Sequence, residues 1–352
     1  MNSSNSTTQD ILPIEVILEL AGFLPFDLIT FQFVMPSIGL VGGILALFSI
    51  LIFFKKDFSK EPVYLYFRII SIINLIHLLA LIPHGFCFVP RYLPQMDSQT
   101  CITFQLIYLP FTNLFFHYVG VLECGIVLDR LKNFSSFVKK YFTLSPKVIC
   151  ILSLIICALI NVLFAFNYKK QYAGVYSYTD SGGNIKVSNL YIILPSEIAS
   201  SKIGVAITIS LFVVRDVFTA IAGITLNLFL LIKMRIFLKT KGIKFNNIPS
   251  NSAATSQQAH VTPSEYVARN QAKKSERNLS LMVVTLSALS LLSRLTMIAC
   301  NSYFLLRSDS TSQILVAVSD TIIMLCPFCS FFVFYSFYKI FRQRRSGGRF
   351  LG

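Results

Sequence analysis

The sequence predicts an all-α membrane protein, a bundle of seven transmembrane helices. Seven apolar stretches are each long enough to cross a bilayer, whose hydrocarbon core of ~30 Å needs about 20 helical residues. The composition agrees, since 54% of the residues are hydrophobic and 13% are charged, whereas a soluble domain carries about 25% charged residues. Lysine and arginine are also divided unevenly between alternate loops, as expected when those loops lie on opposite sides of a membrane.

Each apolar stretch is predicted to form one helix, because a helix satisfies its own backbone hydrogen bonds and lipid offers none. The sequence shows no internal repeat, which disfavours the inverted-repeat transporter folds. In chain order, the predicted helices cover residues 31–54, 62–86, 102–128, 147–166, 203–232, 279–305 and 313–338.

The distribution of positive charge predicts the orientation. With the N-terminus outside, the cytoplasmic segments hold 22 of the 31 lysine and arginine residues, the outer segments hold six and the spans hold three. This bias follows the positive-inside rule. The net charge of +15 is therefore attributed to topology and to contact with anionic lipid headgroups, and no nucleic-acid partner is expected.

Residues 1–30 are predicted to be an extracellular segment. Asn2 and Asn5 each begin an Asn-x-Ser/Thr glycosylation motif, which is modified only on the lumenal side. Residues 11–29 mix apolar residues with three acidic ones. They fit either an amphipathic lead-in to the first helix or a cap that contacts a ligand.

The rest of the chain divides by polarity. Residues 31–343 form the predicted seven-helix domain and residues 344–352 a short cytoplasmic tail. Residues 239–277 are rich in Ser, Asn, Gln, Ala and Lys and are predicted to be a largely disordered cytoplasmic loop. Residues 167–202 form the longest outer loop, where alternating Tyr, Val and Ser residues predict a short hairpin.

Two short motifs resemble those of the rhodopsin-like G-protein-coupled receptors. The third predicted helix ends in Asp-Arg-Leu from Asp129, similar to the Asp-Arg-Tyr of that family, and Tyr335 precedes Phe341 at the spacing of the family's Asn-Pro-x-x-Tyr-x5-Phe. Phe331 and Phe332 replace the Asn and the Pro. The pattern is most similar to divergent invertebrate receptors, of either the peptide type or the chemosensory type.

This resemblance implies a plasma-membrane receptor that transmits the binding of an extracellular peptide or small chemosensory molecule to a heterotrimeric G protein. It implies a short amphipathic eighth helix after the seventh. It also implies a cytoplasmic switch, in which Arg130 bonds Asp129 in the inactive state, with Glu276 as a second partner. On activation Arg130 turns to the G protein and Tyr335 fills the space behind it. The alternative is that Arg130 only snorkels to lipid phosphates.

Ionisable groups inside the predicted spans are costly and therefore informative. An arginine in the central or outer half of the bundle is suited to bind the carboxylate of an anionic or zwitterionic ligand. The alternative is that the buried charges neutralise one another and fix helix packing. The candidate ligand pocket consists of Thr112, His117, Arg215, Asp216, Arg294 and Asp320. Thr112 stands where amine receptors of the resembled family carry an Asp, so a monoamine ligand is not expected.

Helical geometry suggests how these charges pair. Side chains one position apart on a helix diverge by ~100°, so Arg215 and Asp216 are not expected to satisfy each other well. We expect Arg294 to pair with Asp320, and Arg215 to be the freer cation that meets the acid of a ligand.

Glu123 marks a second polar site near the middle of the membrane, two helical turns before Arg130. Asn74 on the second predicted helix is its expected neighbour. Glu123 is either hydrogen-bonded to Asn74 or to a serine, or it acts as a proton switch.

The cysteines divide into two groups. Cys87 and Cys101 are the only two at the outer surface, where the compartment is oxidising, so they can form a disulfide with each other. The other six fall within spans, where a free cysteine packs as a small apolar residue. Cys326 and Cys329 have the Cys-Pro-x-Cys spacing of a redox site, but they lie in an apolar helix and are expected to be packed thiols.

No enzymatic function is expected. The four histidines have no metal-ligand spacing, and no nucleotide-binding glycine pattern occurs, so neither a metal nor a cofactor is predicted. Two other classes remain open, an ion channel or transporter with a buried charged pathway and a structural membrane subunit. Ligand-evoked nucleotide exchange on a G protein would favour the receptor, whereas an ion current without a G protein would favour the channel.

Overall fold

A computed structural model of the chain describes residues 12–13, 33–55, 63–87, 98–179, 184–246, 263–306 and 310–347. Within these ranges the long helices are α1 (Met35–Phe53), α2 (Val63–Cys87), α3 (Ser98–Leu131), α4 (Pro146–Asn161), α5, α6 (Pro263–Leu306) and α7 (Ser310–Gly347). Helix α5 consists of three consecutive pieces, Lys202–Phe212, a π-helical segment Val213–Phe218 and Thr219–Asn246. Shorter elements are the helices Ser136–Tyr141 and Glu197–Ser200 and a 3-10 turn Val162–Phe166.

Six of these helices are long and apolar enough to cross a membrane. They are α1 to α6, and their positions agree with the sequence-based spans to within a few residues at the membrane-embedded ends. Helix α7 contains a shorter apolar stretch, Thr321–Phe337. The chain is therefore a multi-pass α-helical membrane protein, and the seventh crossing stays a prediction. Large apolar side chains point outward along the bundle, as a lipid environment requires, for example Leu159, which is 68% exposed.

Serine side chains begin several of the helices. Ser145 accepts a hydrogen bond from the backbone N–H of Val148 at the start of α4, where Pro146 occupies the first turn. Ser201 does the same for Gly204 at the start of α5. Such caps satisfy backbone donors that have no partner inside the helix, so the loop residues fix where each helix starts.

Glycine allows α1 and α2 to pack closely. A Cβ atom on Gly39 would lie 2.6 Å from the carbonyl oxygen of Leu78, so any larger residue would push the helices apart. Where α1 ends and α2 begins, Arg68 Nε donates to the carbonyl oxygen of Phe53 at 2.9 Å. This bond satisfies one of the last carbonyl groups of α1, which has no partner within its own helix.

The main apolar core contains buried side chains from all seven long helices. Phe334 of α7 packs edge-on against Phe53 of α1 and Phe67 of α2, with ring centroids 4.7 and 5.2 Å apart. Leu122 and Ile126 of α3 belong to the same buried cluster. Helix α7 therefore joins the bundle through an inward-facing phenylalanine.

A small sheet lies between α4 and α5 in the chain. Strands β2 (Tyr168–Thr179) and β3 (Ile185–Pro195) form an antiparallel hairpin with a bulge between Tyr172 and Gly174. Strand β1 (Leu12–Pro13) pairs in parallel with β2 at Tyr176 and Ser177. The predicted hairpin is confirmed, and it is longer than the sequence suggested.

The structure adds to one sequence-based expectation and contradicts another. Within the polar residues 239–277, predicted to be largely disordered, α5 continues to Asn246 and α6 already begins at Pro263. Lys, Arg, Glu and Ala have high helix propensity outside lipid as well, so loss of apolarity does not end a helix. The expected separate eighth helix is also not seen in the described part of the chain, since α7 continues without a break to Gly347.

Candidate functional site: a buried polar cluster between helices

The π-helical segment of α5 carries a buried ion pair. Arg215 Nε donates to both carboxylate oxygens of Asp216, at 3.0 and 2.9 Å, and Arg215 Nη2 donates to Oδ2 at 2.6 Å. Arg215 is 6% exposed and Asp216 is fully buried. The expectation that these neighbours cannot satisfy each other is wrong, because the long arginine side chain folds back along a turn that is wider than an α-helical turn.

Arg215 also contacts two other helical elements. Its Nη1 donates to Oδ1 of Asn113 on α3, and its guanidinium carbon lies 5.0 Å from the ring centroid of Phe164, which follows α4. Arg215 is therefore not the freer cation of the cluster, as the sequence led us to expect. Its contacts with Asn113 and Phe164 link α5 to α3 and to the end of α4.

His117 lies one turn after Asn113 on α3. It shares a hydrogen bond of 3.0 Å with Asn161 at the end of α4, and Asn161 also donates to the carbonyl oxygen of Cys157 at 2.7 Å. Both side chains are buried. The hydrogen bond between His117 and Asn161 therefore links α3 to α4.

The base of the hairpin lies near the ion pair. Partial burial raises the pKa of Tyr168, the first residue of β2, and the positive charge of Arg215 opposes that rise. Tyr168 is still 39% exposed. Ser196, after β3, reinforces this end by donating to the carbonyl oxygen of Phe166 at 2.6 Å.

Arg294 of α6 reaches across to α3 and is 2% exposed. Its Nη2 donates to the carbonyl oxygen of Phe116 at 2.6 Å, and its guanidinium lies 4.2 Å from the ring centroid of the same residue. The guanidinium occupies a notch at Gly120, where a Cβ atom would lie 2.1 Å from Nη2 and 2.4 Å from Cζ. Among the described residues, Nε and Nη1 have no hydrogen-bond partner.

A second polar link between α6 and α3 lies one turn away. Ser290 Oγ donates to Oε2 of Glu123 at 2.5 Å. This is the serine alternative considered for Glu123, while Asn74 lines the same cavity without a described hydrogen bond to it. The cavity has a volume of about 40 Å³, and its polar wall includes Asn74, His77, Glu123, Ser290, Ser293 and Arg294.

Thr112 and Asp320 complete the candidate ligand pocket expected from the sequence. Thr112 bonds the carbonyl oxygen of Tyr108 within its own helix, at 2.9 Å. The side chain of Asp320 lies outside the described residues, so its pairing with Arg294 stays a prediction. The same holds for the glycosylation sites Asn2 and Asn5.

At the C-terminal end of α3, Arg130 is buried, with 3% of its surface exposed. Its Nη2 lies 3.9 Å from Asp129 Oδ2, and Lys132 Nζ lies 3.3 Å from Asp129 Oδ1. A side chain that extends to lipid phosphates would be exposed, so the burial of Arg130 disfavours the snorkelling alternative. The side chain of Glu276, the other expected partner of Arg130, is not among those described.

The aromatic residues of α7 take a different arrangement from the one that the resemblance implies. Tyr335 is 50% exposed and stacks on Phe331, with ring centroids 5.9 Å apart. Phe334, one residue earlier, faces the bundle instead. Movement of Tyr335 behind Arg130 on activation stays a prediction.

Cys87 and Cys101 lie side by side. Their thiols are both buried and in hydrogen-bond contact, and the disulfide between them stays a prediction. This contact joins the end of α2 to the start of α3, where a disulfide would also join them. Cys326 and Cys329 are partly buried within α7, and Cys326 lines the cavity beside Arg294.

Sequence reasoning missed four residues of the cluster, namely Asn113, Gly120, Asn161 and Ser290. The first three are ordinary in a membrane helix when they are taken singly. The signal that was available is spacing, since Asn113, His117 and Gly120 recur at helical intervals and so share one face of α3.

The chain matches no protein-family model, and no characterised protein is similar to it at a significant level. Its function must therefore be argued from its own residues.

Proposed function

We propose that this protein is a G-protein-coupled receptor of the rhodopsin-like layout, with seven crossings, an extracellular N-terminus and a place in the plasma membrane. It would transmit binding of an extracellular peptide or small molecule to a heterotrimeric G protein. The observation that carries the proposal is the buried Asp129–Arg130 pair at the cytoplasmic end of α3, in a helical membrane protein with strongly basic inner loops.

The outer half of the molecule supports a ligand-binding role. A two-stranded hairpin begins beside Arg215, and strand β1 adds to its edge. A ligand arriving from outside would meet the hairpin first. Because Arg215 already donates to Asp216 and Asn113, a ligand carboxylate would reach it only by displacing one of these partners.

The geometry favours a structural role for the Arg215–Asp216 pair. Each partner offsets the charge of the other, which is the arrangement expected when buried charges fix helix packing. A ligand contact through His117, Arg294 or Asp320 is part of the proposal and is not shown by their present positions.

The switch is tested by changing Arg130 to Ala. The full chain is reconstituted in lipid vesicles with a panel of heterotrimeric G proteins, and nucleotide exchange is measured without ligand and with a peptide and small-molecule library. We expect R130A to reach the surface in normal amounts and to lose both basal and evoked exchange. Lys55→Ala removes an exposed cytoplasmic charge after α1 and should leave exchange unchanged.

Unchanged exchange in R130A would remove this role for the residue. If no G protein responds and the vesicles instead conduct ions, the channel or transporter alternative would replace the receptor. The described cavities near Glu123 measure about 40, 20 and 10 Å³. They would have to join into a continuous path for conduction. A protein that gives neither response would fit a structural membrane subunit.

A further inference from the structure

Arg294 brings a positive charge into the interior of the bundle. The guanidinium lies deep in the bundle, and only one of its nitrogens donates a described hydrogen bond, from Nη2 to Phe116. A buried arginine without a counter-ion costs several kcal/mol. Glu123 is the one acid among the described residues that line the same cavity, and no ion pair within 4.0 Å between Glu123 and Arg294 is described. The side chain of Asp320, the counter-ion expected from the sequence, lies outside the described residues.

The notch at Gly120 holds the guanidinium in place. Because a side chain at that position would overlap Nη2 and Cζ, the arginine sits where no other residue of α3 can compete for the space. Arg294 is therefore held inside the bundle, where it lines the cavity.

The cavity wall offers further polar groups. Asn74 lines it with an amide, and His77 lines it with a ring whose Nε2 has no partner among the described residues. A volume of about 40 Å³ is enough for roughly three waters, or for a monatomic ion with one or two waters. It is too small for a phosphate group or a peptide carboxylate with its chain.

We propose that this cavity binds a chloride ion, which competes with the carboxylate of Glu123 for the charge of Arg294. The low-dielectric interior favours a neutral site. Neutrality is reached in two ways, by Arg294 with an ionised Glu123, or by Arg294 with chloride and a protonated Glu123. Chloride binding therefore takes up one proton.

The competition gives a definite pH dependence. Above the pH at which Glu123 loses its proton, each further pH unit weakens the apparent chloride affinity up to tenfold. The reason is that one proton must be taken up with each ion. The titratable groups that face Glu123 from the packed helices are His77 on α2, Cys124 on α3, Arg294 on α6 and Cys326 on α7; α5 contributes the neutral Asn227. His77 would also favour chloride at acidic pH, so the test must separate it from Glu123.

The test is the thermal unfolding of the purified full chain, with chloride replaced by gluconate at constant ionic strength. Gluconate is too large for the cavity. At acidic pH we expect the unfolding temperature of the wild type to rise by about 2 °C for each tenfold increase of chloride above its Kd. At alkaline pH the chloride and gluconate curves should coincide.

The deciding variant is Glu123→Gln, which keeps the size and the hydrogen bond from Ser290 but removes the competing charge. E123Q should respond to chloride equally at both pH values. Glu197→Gln, an exposed acid in the short helix before α5, is the matched control and should behave as the wild type. Arg294→Gln should abolish the response to chloride. If R294Q does not fold, the comparison of E123Q with the wild type still shows whether Glu123 competes with chloride.

Three results would overturn the proposal. No chloride response in either the wild type or E123Q would mean that the cavity holds water and that Arg294 has another counter-ion. A response of E123Q that still falls at alkaline pH would place the proton on His77 instead. A full response in folded R294Q would place the ion elsewhere.

Discussion

Gly120 determines whether Arg294 can be buried at all. The guanidinium fills the space that a Cβ atom would take, and Thr219 closes the same notch from α5, with its Cγ2 at 2.9 Å from that position. A glycine in a helix interior is unfavourable by about 1 kcal/mol relative to alanine. Its presence is explained here by the arginine that crosses over it.

Gly120→Ala should destabilise the protein by about 1–3 kcal/mol or more, because the new methyl group overpacks a site that cannot expand. The measurement is thermal unfolding of the purified variant. Gly43→Ala is the matched control, since a Cβ there meets only the flexible end of Leu79, at 3.2 Å. Equal stability of the two variants would show that the notch is not filled as described.

Asp216→Asn tests the ion pair. The change keeps the shape but leaves the buried guanidinium of Arg215 without a charge partner, so we expect a loss of about 3–5 kcal/mol. The double variant R215M/D216L, which buries no charge, should be clearly more stable than D216N in the same unfolding assay. If D216N unfolds like the wild type, the pair does not stabilise this fold.

At the scale of the elements, the helices of the membrane core could be predicted and their irregularities could not. Apolar length predicts where a helix crosses lipid, and this placed α1 to α6 correctly. The same signal says nothing about a π-helical turn, because one extra residue in a uniformly apolar segment leaves the pattern unchanged. Apolar length also did not predict the polar extensions of α5 and α6, which are helical.

The candidate site could also be predicted only in part. The buried charges were identified from their cost in lipid, and Arg215, Asp216 and Arg294 are indeed buried in the bundle. Their partners could not be predicted, since pairing depends on the π-helical turn and on Gly120. A rule for regular helices predicted that Arg215 and Asp216 diverge, and the irregular turn made that rule inapplicable.

Deleting Val214 should convert the π-helical segment into a regular α-helix. A π-helical turn contains one residue more than the α-helix requires, so the deletion leaves the faces of both flanking pieces in register. We expect the variant to reach the membrane but to lose about as much stability as D216N, because Arg215 and Asp216 would then diverge.

Deleting Ile209 from the regular part of α5 is the control. That deletion rotates everything before it by ~100°, so the protein should fail to accumulate. If the Val214 deletion fails in the same way, the segment is not a tolerated one-residue insertion.

At the scale of the whole molecule, the charge bias predicts which side each loop occupies. With the N-terminus outside, glycosidase treatment of membrane-inserted protein should lower its mass, because Asn2 and Asn5 are then exposed to the glycosylation machinery. A sequon engineered into residues 247–262 should stay unmodified. Modification of the engineered site without modification of Asn2 and Asn5 would reverse the orientation.

The fit of Arg294 over Gly120 also orders the substitutions that this pair of positions can accept. With Arg294 in place, a Cβ atom at position 120 would lie 2.1 Å from Nη2, so a larger residue there would displace the guanidinium. Once Arg294 is replaced by a smaller residue, the guanidinium no longer fills that space. Two positions 174 residues apart in sequence are therefore open to substitution in one order only, the arginine before the glycine.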